Sequence, residues 1–181
     1  MPQVYDWRCT CGAVHAQIET GGFAAGGRLM CYCVDCQTSA SFLGAEAQSL
    51  TAAGGSDIWQ TTPNRLKVKS GADNLAIQRL SPKGVLRWYA ACCKTPFCNT
   101  MPSVKVPFCS FVLPAAAGAE ADGVFGPIKA HVNTIGARKG AGAPKADRGF
   151  ALMTLAVLFR MARGALSGQA RAHPLRGAEG A

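Results

Sequence analysis

Seven of the nine cysteines fall in three short groups, and these groups constrain the fold more than any other feature of the chain. In order, they are Cys9 and Cys11; Cys31, Cys33 and Cys36; and Cys92 and Cys93. Thiols this close together in turn-forming sequence are typical of metal ligands, because two sulfurs on one tight turn reach one tetrahedral ion at low entropic cost. The spacing therefore predicts a zinc protein with one or two Zn²⁺ ions.

Disulfide bonds are the other use of so many cysteines. The N-terminal sequence Met-Pro-Gln-Val-Tyr-Asp-Trp has neither a basic start nor an apolar segment, so no secretory signal is visible. An odd count also argues against complete pairing. We therefore expect a cytoplasmic protein with reduced thiols that bind metal.

Composition and length favour one domain built mainly from short strands. The chain has 181 residues, enough for one domain with a real core, and its 21 glycines and 10 prolines favour turns over long helices. The formal net charge is +9, with much of the basic excess late in the chain. Such a basic end can meet nucleic acid or an acidic membrane surface, but a solvated end is the more usual explanation.

Alternating hydrophobicity predicts strands on both sides of the cysteine groups. Val14, Ala16 and Ile18 alternate with polar residues directly after the first pair. Residues 75–80 and 85–90 flank a Ser-Pro-Lys-Gly turn, which predicts a hairpin leading straight into the adjacent cysteines. Further strands are expected near residues 57–62, 66–69 and 108–113, followed by a linker as far as Gly123.

Residues 148–166 form an apolar segment that predicts a helix. It is apolar around most of its circumference, and Asp147 is placed to cap it. Its uninterrupted nonpolar stretch is too short to span a bilayer, so no transmembrane segment is expected. We expect the helix to dock on the sheet, with an interfacial or dimerising helix as the alternative. Residues 168–181 are expected to be a flexible end.

The middle group cannot fill a zinc site by itself. Three thiolates leave one of the four tetrahedral positions free, so the site either recruits a distant residue or keeps that position for water or substrate. Cys9 and Cys11 also need partners, and Cys92 and Cys93 are the only later pair. A site closed by these two pairs would be structural and would supply folding free energy.

The order of these motifs resembles a known family. Cys-Thr-Cys-Gly, then Cys-Tyr-Cys-Val-Asp-Cys, then Arg-Trp-Tyr-Ala-Ala-Cys-Cys-Lys-Thr resembles the glutathione-dependent formaldehyde-activating enzymes, which include the centromere-protein-V-like domains. The resemblance covers about residues 5–113 and is closest to an uncharacterised bacterial branch. It implies the Mss4-like (β-tent) fold, a structural zinc on Cys9, Cys11 and Cys93, and a second zinc on Cys31, Cys33 and Cys36.

The chain departs from the family pattern at the late cysteines. Ala90 stands where the family has the first cysteine of its late pair, and Lys94 stands where it has glycine. Cys92 is the preferred replacement ligand, although adjacent cysteines in a strand normally point in opposite directions. Cys98 is the alternative.

The complete expectation is a mainly β, Mss4-like zinc-binding domain over residues 1–135, a C-terminal helical extension over 136–167 and the flexible tail. The resemblance implies a carbon–sulfur lyase acting on a small thiol–aldehyde adduct, with no catalytic residue assigned and no glutathione site identified. The rival hypotheses are a non-catalytic zinc module that binds a protein or nucleic acid, and a redox sensor at the adjacent cysteines. Oligomeric state stays open.

Several other cysteine, tryptophan, histidine and aspartate residues are expected to have structural rather than functional roles. Cys109 is expected in the core, as are Trp7, Trp59 and Trp88. His15 and His131 are weak candidates for a fourth ligand, and Asp35 is expected to form a turn.

Overall fold

The computed structural model describes residues 3–22, 24–168 and 175. Within them, ten strands and four α-helices follow one another along the chain. The strands are β1 Val4–Arg8, β2 His15–Glu19, β3 Gly27–Cys31, β4 Ser56–Thr61, β5 Leu66–Ser70, β6 Leu75–Gln78, β7 Leu86–Ala90, β8 Thr95–Thr100, β9 Cys109–Val112 and β10 Ala130–Val132. The helices are α1 Val34–Phe42, α2 Glu46–Ser49, α3 Gly118–Phe125 and α4 Phe150–Leu166.

The strands form two sheets. The smaller sheet has the order β1-β2-β5 and is antiparallel throughout. The larger has the order β10-β3-β4-β9-β8-β7-β6, with β10 parallel to β3 and all other neighbours antiparallel. The prediction of a mainly β protein with a C-terminal helix is therefore confirmed.

The two hairpins next to the cysteine groups are present as predicted. β1 pairs with β2 across the Cys9–Cys11 turn, and β6 pairs with β7 directly before Cys92. In β2, Ala16 and Ile18 are fully buried and their neighbours are only half-buried, so the alternation reports a half-buried strand as expected. These hairpins fix where two of the three cysteine groups lie.

The main core lies between the sheets and is rich in aromatic side chains. Trp7, Trp59 and Trp88 are each at most 3% exposed, and Cys109 is fully buried, which confirms all four as core residues. The Trp88 indole N–H donates to Thr100 Oγ1 at 2.9 Å, so its polar atom is satisfied inside the core.

Two local predictions are wrong. The expected linker contains α3. Asp147 does not cap α4: the helix begins after Gly149, whose φ of 71° is left-handed, with no side-chain cap. The Asp147 carboxylate instead accepts hydrogen bonds from the backbone N–H groups of Asn133 (2.9 Å) and Thr134 (2.7 Å), because the loop after β10 leaves both donors free.

Helix α4 docks on the sheet through only one side. Met153, Arg160 and Gly164 are buried where the helix contacts β3, β4 and β10. Six large apolar side chains of the helix are more than half exposed: Phe150, Leu152, Leu155, Leu158, Phe159 and Leu166. The docked helix is confirmed, and it leaves a wide apolar face open. Within the described residues, no helix has the length and hydropathy needed to cross a bilayer.

The flexible tail predicted over residues 168–181 lies outside the described residues, apart from Gly168 and Leu175. Leu175 is buried in the main core. The predicted domain boundaries stay predictions.

Candidate metal centres and the adjoining cavity

The first cluster joins the two hairpins. Cys9 and Cys11 lie in the turn between β1 and β2, and Cys92 and Cys93 lie in the turn between β7 and β8. The four sulfurs are all within 4.8 Å of one another. Cys9 Sγ lies 3.5 Å from Cys11 Sγ and 3.9 Å from Cys92 Sγ, and Cys11 Sγ lies 3.3 Å from Cys92 Sγ.

These separations fit a tetrahedral zinc thiolate site. With zinc–sulfur bonds of about 2.3 Å, ligand sulfurs at tetrahedral angles are about 3.8 Å apart. The Cys92 and Cys93 sulfurs are 3.8 Å apart. The donor set and its spacing fit zinc without rearrangement of the backbone, although the identity of the metal stays a prediction.

The adjacent cysteines can both face the cluster because they are not in a strand. β7 ends at Ala90, and residues 91–94 form a turn in which Lys94 has a left-handed φ of 59°. The expectation of opposed side chains holds for a strand but not for this turn. Cys98, the alternative ligand, is fully buried in the core within β8 and lies outside the cluster.

Hydrogen bonds from the surrounding chain help these sulfurs to hold negative charge. The Val14 N–H donates to Cys9 Sγ at 3.2 Å, and Thr95 Oγ1 lies 3.1 Å from Cys93 Sγ. Partial burial raises the pKa of Cys93, but hydrogen bonds from Thr10 and Thr95 outweigh it and lower that pKa to about 5. Cys11 and Cys92 are exposed, so this cluster has four donors but reaches the surface.

The second cluster lies where β3 passes into α1. Cys31 ends β3, Cys33 is the N-cap of α1, and Cys36 lies in its first turn. Their three sulfurs are within 4.8 Å of one another. The Cys36 backbone N–H donates to Cys33 Sγ at 3.4 Å, so the positive end of the helix dipole faces this thiol.

Two side chains that the sequence did not single out contact this cluster. Arg87 Nη1, from β7, lies 4.0 Å from Cys36 Sγ, and the Asn133 amide donates to Cys31 Sγ at 3.6 Å. Asn133 is held in the left-handed region at φ 56°, directly after β10. Neither residue could be assigned to the second cluster from sequence, because each lies more than 50 positions from these cysteines and only the tertiary fold brings it here. Asp35, expected to form a turn, lies in the first turn of α1, 3.8 Å from Arg87.

The three thiols of the second cluster shift one another's pKa. Hydrogen bonds from the Cys31 and Cys36 thiols, with a smaller contribution from the Arg87 charge, lower the pKa of Cys33 to about 2. The same hydrogen bonds and burial raise the pKa of Cys36. A metal must therefore displace the remaining protons as it binds, which is usual for thiolate sites.

Among the described residues, this group has only three donors of the Cys, His, Asp or Glu type. Neither candidate histidine lies in either cluster. His15 Nε2 lies 2.8 Å from Asp6 Oδ1, and His131 Nδ1 lies 3.3 Å from the Tyr32 hydroxyl. The described structure therefore leaves the fourth tetrahedral position without a Cys, His, Asp or Glu ligand.

An apolar cavity of about 300 Å³ adjoins the second cluster. It lies between α4 and the sheet, and it is lined at one end by Cys31 and Asn133 and along its length by Leu29, Ile58 and Met153. Another cavity, of about 340 Å³, reaches Thr10 and Thr95 but is lined by no cluster cysteine. Of the two clusters, only the three-thiol cluster places a thiol in the wall of a described cavity of about this size.

Comparison with known proteins assigns the chain to a family by its whole length. Residues 1–180 match the model of a family of unknown function, DUF6151. The chain belongs to this family. No curated protein matches the chain.

A crystal structure of a Rhodobacter sphaeroides protein from a structural genomics programme is similar to this DUF6151 protein. The two are 19% identical with a TM-score of 0.44, over 68% of this chain and 97% of the other. The DUF6151 description carries no activity, so the function of this member has to be argued from its own site.

Proposed function

We propose that the protein is a zinc-dependent carbon–sulfur lyase of the Mss4-like, formaldehyde-activating type, which acts on a small thiol–aldehyde adduct at the second cluster. The observation that carries the proposal is the three-thiol cluster with no fourth protein donor among the described residues, in the wall of the cavity along α4. A zinc site with three protein ligands and an adjoining space is typical of catalytic zinc, whereas structural zinc has four. The order of the cysteine motifs, which resembles that of the formaldehyde-activating enzymes, also supports the proposal.

The site suits the cleavage of an S-hydroxymethyl adduct. A zinc ion held by Cys31, Cys33 and Cys36 would supply a Lewis acid for the adduct's sulfur or oxygen. In the reaction, the adduct hydroxyl loses its proton and the carbon–sulfur electron pair passes to sulfur. A thiol and an aldehyde result, and no oxidant or reductant is needed.

The surrounding residues fix the site and its charge. Arg87 and Asn133 contact the Cys36 and Cys31 sulfurs respectively, so both help to orient the thiols and stabilise their negative charge. The mostly apolar cavity gives the adduct's organic part a place to bind.

The test uses zinc-loaded full-length protein and formaldehyde with 2-mercaptoethanol. NMR exchange spectroscopy measures the rate of exchange between free formaldehyde and its 2-mercaptoethanol adduct. We expect wild type to accelerate the exchange and Cys33→Ala to lose that acceleration. Cys109→Ala is the matched control, because it removes a buried thiol outside both clusters. Equal rates for wild type and Cys33→Ala would contradict the proposal.

The exposed face of α4 favours a second candidate, a zinc module that binds an apolar protein partner. Leu152 and Leu166 are 76% and 90% exposed, and contiguous apolar patches of this kind often mark interaction sites. In that case both clusters would be structural, and no substitution of Cys31, Cys33 or Cys36 would change the rate of formaldehyde exchange.

A further inference from the structure

Arg160 is a buried arginine without a partner. Its side chain lies on the docked side of α4 and the residue is only 8% exposed. Among the described residues, none forms an ion pair with it, and its Nη2 atom is buried without a hydrogen bond. Burying part of a guanidinium without a counter-charge or a hydrogen bond opposes folding, so its presence needs a reason.

Gln60 contains a second orphaned polar atom close by. Its Oε1 atom is buried without a hydrogen bond, and Gln60 lines the cavity along α4. Gln60 pairs with Gly27 across β3 and β4. Arg160 Nη2 lies 3.3 Å from the position that a Cβ atom on Gly27 would occupy, so both groups flank the same glycine.

Met153 and Arg160 both lie beside Gly27, and of the two only Met153 lines the cavity. Met153 lines the cavity, and its Sδ atom lies 2.9 Å from the position that a Cβ atom on Gly27 would occupy. Methionine is unbranched and changes rotamer at low cost, so it can move aside and open the cavity to the guanidinium.

Gln60 and Cys31 line opposite ends of the cavity, and Arg160 lies beside Gly27, beyond the Gln60 end. Gly27, Leu29 and Cys31 alternate along β3 and so face the same side of the sheet, beneath α4. Gly27 and Cys31 are four positions apart in β3, which corresponds to about 13 Å along the strand. The cavity therefore has Cys31 at one end, apolar walls in the middle and an unpaired positive charge beyond the other end.

We propose that this cavity binds an amphipathic anion, with its carboxylate or phosphate head on Arg160 and its hydrocarbon chain along α4. An arginine fork suits both head groups. The mostly apolar lining favours an amphipathic ligand over a fully polar one such as a free sugar phosphate. This inference goes beyond the proposed function, because it needs neither a metal nor a reaction.

The test is isothermal titration calorimetry of the full-length protein with octanoate, octyl phosphate and octanol. The two anions carry the alternative head groups on matched chains, and octanol lacks the charge. We expect at least one anion to bind wild type about tenfold to hundredfold more tightly than octanol, and the tighter anion identifies the head group. Arg160→Met should lose that preference and still bind octanol.

Two further measurements separate ligand binding from a structural role. Arg163→Met is the matched control, because Arg163 lies one turn further along α4 and is exposed; it should keep the preference. Without ligand, Arg160→Met should be at least as stable to urea as wild type, since it removes an unpaired buried charge. A strongly destabilised Arg160→Met would overturn the proposal by showing that the arginine serves the fold. Equal affinity of wild type for the anions and octanol would overturn it as well.

Discussion

At the scale of single residues, the chain buries two arginines in different ways. Arg28 in β3 is only 2% exposed, and its guanidinium donates three hydrogen bonds to Asp57 in β4, at 2.6, 2.9 and 3.1 Å. It also donates to Asp122 in α3, and its pKa is raised, mainly by the hydrogen bonds to Asp57. Arg160 has no such partner among the described residues. Ion pairing within the fold explains the burial of Arg28 but not that of Arg160.

We predict that Asp57→Ala lowers the free energy of unfolding by about 3–5 kcal/mol, because it leaves the Arg28 charge buried with fewer partners. Urea unfolding measures the loss. The matched control is Glu19→Ala, which removes an exposed ion pair with Lys67 and should cost about 0–1 kcal/mol. Losses of similar size in the two variants would contradict the interpretation of the Arg28–Asp57 pair.

The identity of the fourth ligand in the first cluster is a second residue-scale prediction. Cys92→Ser should remove one bound metal ion, because its sulfur lies 3.3–3.9 Å from three other sulfurs of the cluster. Cys98→Ser should keep the metal and lower the free energy of unfolding by about 1–3 kcal/mol, because it buries a hydroxyl in the core. Mass spectrometry of metal content and urea unfolding check the pair. Metal loss in Cys98→Ser alone would show that the assignment is wrong.

The sequence predicted which cysteines come together, but not how the adjacent pair does so. Short spacings favour shared sites, and both predicted sets are grouped in the structure. The left-handed turn at Lys94 reverses the usual alternation of neighbouring side chains, and no local pattern signals it. Arg87 lies in β7 and Asn133 directly follows β10, both far from the second cluster in the chain, so their contacts with it depend on tertiary structure.

At the scale of elements, alternation identified half-buried strands such as β2 but missed β3, β8 and β10. β3 has the sequence Gly-Arg-Leu-Met-Cys and all five residues are buried, so it shows no alternation of exposure. The error at α4 has a tertiary cause, because a loop distant in sequence bound the aspartate expected to cap the helix.

We predict that Asp147→Ala destabilises the connection between β10 and α4 and lowers the Tm by a few degrees at pH 7. Hydrogen bonds from the Thr134 hydroxyl and from the Thr134 and Asn133 N–H groups hold the pKa of Asp147 below its usual value. A lowered folded-state pKa stabilises the protein above the unfolded-state pKa, and this contribution disappears as the pH falls through the folded-state value. The difference in Tm should therefore be largest at neutral pH and shrink below about pH 4.

Differential scanning fluorimetry from pH 7 to pH 3 measures this dependence. Asp73→Ala is a suitable control, because Asp73 is exposed in the turn between β5 and β6. A difference between wild type and Asp147→Ala that stays constant across this range would show that the carboxylate charge does not matter.

At the scale of the whole molecule, the first cluster holds the two sheets together. Its cysteines come from the β1–β2 turn of the small sheet and the β7–β8 turn of the large sheet. The Thr10 N–H, which donates to Thr95 Oγ1 at 3.0 Å, is a further link between these turns. Metal binding here would contribute directly to the free energy of folding.

We predict that a chelator lowers the Tm of the full-length protein and that zinc, but not magnesium, restores it, because thiolates prefer the softer ion. Thermal unfolding with and without EDTA, followed by re-addition of each metal, measures the effect. An unchanged Tm after complete metal removal would contradict a structural role for the first cluster.

The most direct test of the two-cluster account is the metal content of tag-free wild type and Cys33→Ala by mass spectrometry, with circular dichroism to check the fold. The account predicts two zinc ions in wild type and one in Cys33→Ala, with an unchanged spectrum, because the first cluster keeps all four of its donors. The same single zinc ion in both proteins would contradict the account, since it would show that the three-thiol cluster does not hold a metal.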